Sequence, residues 1–433
     1  QVFDNKIALL VQCVNFIMKA HRFPVGLFSA LLIAVCLAQP SSLPAQENPF
    51  PVLPGLENAV EFWRLIFTKY GGSEVIFHDR QDPLKIYKVV NIDENSNARR
   101  LIREEIAAIG QAEGFEAPEQ RVRAQRGVKD RFAAGLALSR RYLDQMQKIM
   151  REEGLPEEIA YLPLVESSFN LNARSSAGAL GMWQFMPATG KKFMRVGPVL
   201  DERRDPIEST RAAARFLSQN YDALGNWPLA LTAYNHGREG MARAAAEVGS
   251  TNLVDIIQRY QSPSFGFASK SFYAEFLAAV DVARRSAEFF PELEYHPPWP
   301  LEELPVERNV SIVALLKPTD ISHAQFLEWN PALTSKTREL PGGYRIKAPP
   351  DKLEALVVAY RKMVGASKEG AAKIVAVSKT SLEWILHHVA PGDTLSKLAR
   401  TYKVSIDAIQ QANGMGNAHR LAIGQQLKIP KKT

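Results

Sequence analysis

The sequence predicts a mainly α protein: an all-α domain over residues 129–290, followed by small α+β modules of strand–helix–helix–strand (βααβ) outline. Three observations carry this. Apolar residues recur at spacings of three and four through residues 129–290, where strand signals are weak. The strand–helix–helix–strand outline occurs twice, at 305–349 and again at 386–430. The composition is 46% apolar and 23% charged over 433 residues, which fits roughly two to four globular domains. It excludes global disorder, a collagen and a polytopic membrane protein. Lys and Arg exceed Asp and Glu by 53 to 46, a net +7. That mild positive field suits an acidic polymer or surface without singling out nucleic acid.

Residues 1–45 read as upstream residues and a signal peptide. Met18-Lys19-Ala20-His21-Arg22 opens a basic n-region, and Val25 to Leu37 is apolar over a signal-like length, too short to span a membrane comfortably. Cleavage is expected after Ala45 or Ala38. The two cysteines, Cys13 and Cys36, both precede Ala45, so the mature chain is expected to hold no disulfide, thiolate metal site or cysteine nucleophile. Cys36 also allows a second reading as a lipidated N-terminal residue. Either way the protein is expected to be exported, periplasmic or envelope-associated.

Residues 46–128 read as a Pro-rich tether over 46–58 and an N-terminal helical extension, with one strand-like run at Glu74 to His78 and a helix near Arg99–Ile109. A helical pattern runs from Lys129 to Glu153. Gly154-Leu155-Pro156 ends it and starts another helix, with Glu157 and Glu158 at the positive end. Further helices are expected from Ser209, over Leu229–Tyr234 and over Phe272–Ala287. Pro297-Pro298-Trp299-Pro300 marks a boundary. The module at 305–350 opens with a strand-like run, Val306 to Val313, and is followed by an Ala/Lys/Ser-rich linker over 365–380 and a cleaner second module at 386–431.

The chemistry concentrates in Ile159-Ala160-Tyr161-Leu162-Pro163-Leu164-Val165-Glu166-Ser167-Ser168-Phe169-Asn170, where one carboxylate closes an apolar run. A carboxyl in apolar surroundings stays protonated near neutral pH, as a general acid needs; the plain alternative is a Glu at a helix end. The segment Ser175 to Gly190 then mixes small residues with aromatic and amide side chains. Glycines let backbone approach a ligand, and an apolar face beside an amide suits a sugar ring.

Glu-Ser-Ser-Phe-Asn at 166–170, followed by Ser175-x-Ala-Gly-Ala-x-Gly-x-Trp-Gln-Phe-Met-Pro-x-Thr-Gly190, resembles the soluble lytic transglycosylase domain, the family-23 glycosidase fold related to goose-type lysozyme. Asp201-Glu202-Arg203-Arg204-Asp205-Pro206 and Ala233-Tyr234-Asn235-His236-Gly237 resemble its later motifs. The whole chain is similar to the membrane-bound lytic murein transglycosylase D type. The resemblance implies a lysozyme-like all-α catalytic domain with Glu166 as catalytic acid/base. It places Ser175, Gln184, Met186 (through its backbone), Tyr234 and Asn235 at the sugar site. The family's last motif carries a Tyr; direct alignment sets Phe272 there and Tyr273 one further on, so Tyr273 enters as a substrate-binding candidate. His236 replaces a small residue and has no second His at ligand spacing, so it reads as a variant and not a metal ligand. No cofactor and no metal are called for.

Ordinary glycosidases use two carboxylates, and the resemblance identifies one. In the family's chemistry one Glu protonates the bond between N-acetylmuramic acid and N-acetylglucosamine, then acts as base on the C6 hydroxyl to close a 1,6-anhydro ring, assisted by the sugar's acetamido group. Asp201, Asp205 and Glu208 are the candidates for a second carboxylate, against the reading that they pair with Arg203 and Arg204 and orient the loop.

His388 to Ala399, Ser405 to Gly414 and Gly424 to Pro430 resemble a LysM module. Leu395, Leu398, Tyr402, Val404, Ile406, Ile409, Leu427 and Ile429 are its expected core. The resemblance places an N-acetylglucosamine groove at Gly392, Asp393, Thr394, Asn413 and Gly414. Residues 386–433 carry seven Lys/Arg and two Asp/Glu, a net +5 that suits an acidic wall. The His387–His388 doublet reads as strand surface. The 305–350 module lacks the Pro-Gly-Asp-Thr opening and is expected not to bind sugar. The expected partners are peptidoglycan glycan strands, with no nucleic acid and a monomeric state. The alternatives are a lysozyme-type hydrolase on the same fold and a non-catalytic wall-binding protein.

Overall fold

A computed structural model describes residues 48–93, 97–365, 384–389, 393–413, 415, 421 and 426–430; the signal segment, both cysteines and the 366–380 part of the linker lie outside them. The chain divides at residue 49, and every helix and strand of the described residues belongs to the unit from Phe50 onward.

Its first helix, α1 (Glu57–Thr68), buries Val60, Phe62, Trp63, Ile66 and Phe67, one stripe at helical spacing. Three strands follow or flank a second helix: β1 (Glu74–Asp79), β2 (Ile86–Asn91), α2 (Ala98–Glu113) and β3 (Val122–Arg126). The sheet order is β2-β1-β3, antiparallel throughout. Central β1 is buried on both faces: Ile76 joins the main core, while Val75 and Phe77 pack with Ile109 and Val122 in a satellite core under α2. The region expected to be helical is therefore a helix-and-sheet unit. The Pro-rich stretch expected as a tether is docked: Phe50 is buried, its ring 5.1 Å from Phe276 and 5.7 Å from Trp227.

The all-α portion follows. The expected run from Lys129 to Glu153 is two helices, α3 (Lys129–Ser139) and α4 (Leu143–Glu152). A 3-10 turn over Glu157–Tyr161 leads into the short α5 (Leu162–Glu166). Then come α6 (Pro206–Leu224), α7 (Trp227–His236), α8 (Arg238–Val248), α9 (Leu253–Arg259) and α10 (Phe267–Arg284). Asp205 caps α6 by accepting from the Ile207 and Glu208 amides, which sets its start three residues before Ser209. Asn226 caps α7 through the Leu229 amide. Helix α10 is buried nearly all round, from Ser269 to Val282, and packs on α1, α5 and α7.

Two small modules complete the chain. In the first, β4 (Glu302–Pro305) pairs with the later β7 (Arg345–Ala348) around β5 (Val310–Ser311), α11 (Ile312–Leu316), α12 (His323–Trp329) and β6 (Glu339–Leu340). Its outer strand lies before Val306, where the sequence placed it, because Ile312 already starts a helix capped by Ser311. A helix with no counterpart in the sequence reading, α13 (Pro350–Val364), covers the module through Leu353, Leu356 and Tyr360. In the second, β8 (Trp384–His388) pairs with β9 (Gln426–Pro430) around α14 (Leu395–Tyr402) and α15 (Ile406–Ala412). Leu395, Leu398, Ile409, Leu427 and Ile429 form its core, with Tyr402, Val404 and Ile406 packed against it.

The two modules share one hydrogen-bond pattern. Asn330 Nδ2 donates to the Phe326 and Lys347 carbonyls, and its Oδ1 accepts from the Lys347 amide. Asn413 makes the same three bonds with Ile409 and Lys428.

Both modules dock on the helical portion. Asp201 N donates to Ala332 O at 2.8 Å, and Arg211 reaches Glu303 at 2.9 Å. At the centre of this contact Lys347, fully buried, lies 2.8 Å from Asp205 and 3.6 Å from Glu208. Burial works to lower the Lys347 pKa, but Asp205, Glu208 and Glu303 outweigh it and hold the ammonium charged. The second module meets α4 through β8 and is tied to Arg140, at the end of α3.

Candidate active site

Glu166 is the last residue of α5, a helix in which Leu162, Pro163 and Leu164 are buried. Ser168 (φ 53°) and Phe169 (φ 59°) then adopt left-handed backbone, which costs both residue types and turns the chain sharply after the carboxylate. Phe169 is fully buried and anchors that turn. Gly135 of α3 allows it: a Cβ there would lie 2.6–2.8 Å from Ser168 atoms. Ser167 Oγ donates to Met182 O at 2.9 Å and ties the helix end to the 173–186 loop.

That loop is braced from within. Ser175 N donates to Ala179 O, and Ser175 Oγ accepts from Ala179 N at 2.9 Å, leaving its own proton to offer. Gln184, also left-handed (φ 48°), donates its amide to Ala173 O at 3.1 Å and Gly181 O at 2.7 Å, so only its Oε1 remains for a ligand. Gly181 sits at φ +82° against the second motif, where a Cβ would fall 1.8 Å from Arg203 O. Trp183 and Phe185 are buried core residues, with Trp183 Nε1 donating to Thr210 Oγ1, so neither offers a sugar-stacking face. Met186, 41% exposed, is the apolar side chain the loop presents instead.

Burial raises the Glu166 carboxyl to about pH 8, and among the described residues it has no hydrogen-bond or ion-pair partner. Tyr234, at the C-terminal end of α7, donates its hydroxyl to Trp183 O at 2.7 Å; burial and the Glu166 charge raise its pKa well above the usual phenol. Asn235 beside it is exposed and accepts from Ser269 Oγ at 2.8 Å. His236 packs edge-on to Phe265 and over Gly240.

One residue escaped the sequence reading. Glu275 on α10 is raised to about pH 8 by burial and by the Glu166 charge, partly offset by Arg131. Its signal was the one that flagged Glu166: a lone carboxylate in an apolar run, Phe272 to Ala279. The Glu166 charge is one of the causes that raise Glu275, so ionising one carboxyl bears on the other.

Tyr273 is placed differently from the expectation. It is fully buried, and its hydroxyl donates to Pro51 O at 2.9 Å, on the side of α10 turned to the N-terminal segment. Two residues is about 200° of helix, so Tyr273 points away from Glu275, while Phe272, three before, shares its side. Nor do the three candidate second carboxylates serve as free acids. Asp201 is held by Arg203 at 2.7 Å, Asp205 by Lys347, and Glu208 by Arg211 at 2.8 Å together with Arg345 and Lys347. Among the described residues Arg204 takes no carboxylate; it donates to Asn172 Oδ1 at 2.6 Å.

In the second module the expected groove side chains have internal duties. Asp393 accepts from His387 at 2.8 Å and pairs with Arg140 at 3.5 Å, Thr394 caps α14 through the Lys397 amide, and Asn413 holds Lys428. Gly392 and Gly414 lie outside the described residues. His387, expected on the strand surface, is buried: Tyr402 hydroxyl at 2.9 Å, Asp393 and Arg140 surround its ring.

A helical domain that buries Glu166, a raised carboxyl with no partner among the described residues, beside a second raised carboxyl, Glu275, and is followed by two βααβ modules, is the class of protein that fold and site define. Residues 145–256 match the family described as Transglycosylase SLT domain, and residues 387–430 match LysM domain. The chain is similar to the membrane-bound lytic murein transglycosylase D of Escherichia coli strain K12, at 27% identity over 286 residues. That match covers 65% of this chain and 61% of the relative's length. The transglycosylase of Enterobacteria phage PRD1 is 34% identical over 95 residues, 22% of this chain and 34% of that one. Among solved structures, the 70 kDa soluble lytic transglycosylase of Escherichia coli matches 36% of this chain and 27% of its own at 21% identity and a TM-score of 0.29.

Proposed function

We propose that the protein is a lytic transglycosylase that cleaves the β-1,4 bond between N-acetylmuramic acid and N-acetylglucosamine in peptidoglycan, forming 1,6-anhydromuramic acid during cell-wall remodelling. The observation that carries this is Glu166: a carboxyl that keeps its proton at neutral pH and has no partner to spend it on. Glu166 donates that proton to the glycosidic oxygen as the bond to C1 breaks, and the acetamido oxygen of the same sugar bonds to C1. The resulting carboxylate takes the C6 hydroxyl proton, O6 replaces the acetamido oxygen at C1, and Glu166 ends protonated as it began. Removing such an acid/base costs on the order of 10²–10⁴ in rate.

Glu275 is the observation that favours the second reading, a lysozyme-type hydrolase, because it brings a second carboxyl to Glu166. A carboxyl that stays protonated to about pH 8 cannot activate water at neutral pH, so the one-acid cyclisation remains the stronger account. We assign Ser175, Gln184 Oε1, the Met186 backbone, Tyr234 and Asn235 to sugar binding. The LysM domain holds the glycan through N-acetylglucosamine, and the enzyme acts as a monomer in the cell envelope, exported by its N-terminal segment and, in the second reading of that segment, anchored through Cys36. Among the described residues no helix is long and apolar enough to cross a membrane. Counting reducing ends while the parent protein digests purified peptidoglycan tests the reaction. Solubilisation without new reducing ends is the expected result, and reducing ends that rise with solubilisation would replace cyclisation by hydrolysis.

A further inference from the structure

A cleft of about 300 Å³ opens where the 172–180 loop, the second motif and the first module meet, lined by Asn172, Arg174, Leu180, Asp201, Arg204 and Thr334. The module wall is fixed: Thr334 Oγ1 donates to Pro198 O at 3.0 Å, and Leu333 bridges to Leu200. The charge balance in this cleft is uneven. Both oxygens of Asp201 are taken by Arg203, at 3.0 Å and 2.7 Å, so its charge is cancelled locally. Arg174 is exposed and has no hydrogen-bond or ion-pair partner among the described residues. Arg204 gives one terminal nitrogen to neutral Asn172, while its buried Nε–H has no acceptor among the described residues. A buried donor left unpaired costs about 1–3 kcal/mol, and guanidinium N–H groups match a carboxylate best.

The cleft also belongs to the catalytic loop. Arg174 precedes Ser175, and Leu180 bridges to Phe185, next to Gln184. The two arginines thus line a cleft on the same loop that carries Ser175 and Gln184, the residues assigned to the sugar. On the function proposed above, from which this inference follows, the muramyl sugar bears an anionic group: its lactyl arm carries the peptide stem, whose carboxylates are the anions of the wall. We propose that the Arg174–Arg204 cleft is a subsite for a carboxylate of the peptide stem, which makes the enzyme prefer stem-bearing glycan over naked glycan.

The test is calorimetric binding to the full chain carrying Glu166→Gln, which holds substrate uncut. Two probes are compared: a tetrasaccharide with its stems, and the same tetrasaccharide with stems removed and lactyl carboxylates free. The stem-bearing probe is expected to bind about tenfold tighter, and Arg174→Ala in the same background to bring the two within about twofold. Arg174 is exposed, so this variant leaves the core untouched. Equal binding of the two probes, or a preference that survives Arg174→Ala, overturns the subsite. A preference for the stem-free probe that Arg174→Ala abolishes assigns the cleft to the lactyl carboxylate and overturns the stem. Binding needs no turnover, so an arginine-dependent preference with a parent that releases no product leaves the subsite standing and removes the proposed reaction.

Discussion

Lys347 Nζ lies 2.8 Å from Asp205 Oδ2, with both side chains fully buried. The pair joins a strand of the first module to the residue that caps α6, and so fixes the second motif from outside the catalytic domain. A buried pair adds little stability overall, but removing one partner strands a charge. Lys347→Ala leaves Asp205 buried without its cation, while Glu208 keeps Arg211 and Arg345, and is expected to cost about 3–5 kcal/mol. Urea unfolding measures it; a loss below about 1 kcal/mol would mean that water reaches the pair.

Gly181→Ala puts a Cβ 1.8 Å from Arg203 O at a backbone angle of φ +82°. Neither strain can relax without moving the loop that carries Ser175 and Gln184. The expected outcome is a loss of about 2–4 kcal/mol and of most activity, against a loss of only about 1 kcal/mol with most activity kept for Gly178→Ala, which shares the left-handed backbone (φ +92°) but whose Cβ meets nothing within 4 Å. Parallel denaturation and turnover measurements on the two variants check the contrast.

Much of this site was legible because one local signal, a lone carboxylate in an apolar run, marks both Glu166 and Glu275. The resemblance drew attention to the first and away from the second. Tyr273 shows what spacing alone leaves open: one step along α10 turns a side chain by about 100°, from the side of Glu275 to Pro51. The Lys347–Asp205 pair was not legible. A lysine in a short strand reads as solvated, and nothing local announces a carboxylate 142 residues away. His387 likewise looked like strand surface until Arg140 of the helical domain closed over it. The β2 and β3 strands were hidden by their charged and polar residues, Lys88, Arg123, Gln125 and Arg126, which sit on partly exposed faces.

The two raised carboxyls make stability depend on pH in a stated direction. Glu166 keeps its proton in the folded state to about pH 8, whereas an ordinary Glu releases it near 4.5. Between those values the folded protein binds a proton that the unfolded chain has lost, so stability falls as pH rises through the window. Glu166→Gln removes one such group. It is expected to match the parent near pH 4 and to exceed it by on the order of 1–3 kcal/mol at pH 7.5. Thermal unfolding at the two pH values decides, and an equal offset at both contradicts the burial argument.

Activity should follow the same pair. The acid step needs Glu166 protonated, so kcat/KM is expected to decline as pH rises through about 8. Glu275→Gln removes a neighbouring negative charge from the doubly ionised state and makes Glu166 easier to deprotonate. The alkaline limb should therefore move down by about half to one pH unit, with a modest loss at pH 6. An unchanged limb would show that the two carboxyls titrate independently.

The central claim is that Glu166 alone drives cleavage by cyclisation. Mass spectrometry of products from purified glycan, digested with the parent protein and with Glu166→Gln, tests it most directly. The account predicts anhydro-ended muropeptides from the parent and none from the variant. Products carrying the mass of an added water, or anhydro products from Glu166→Gln at the parent's rate, would contradict it.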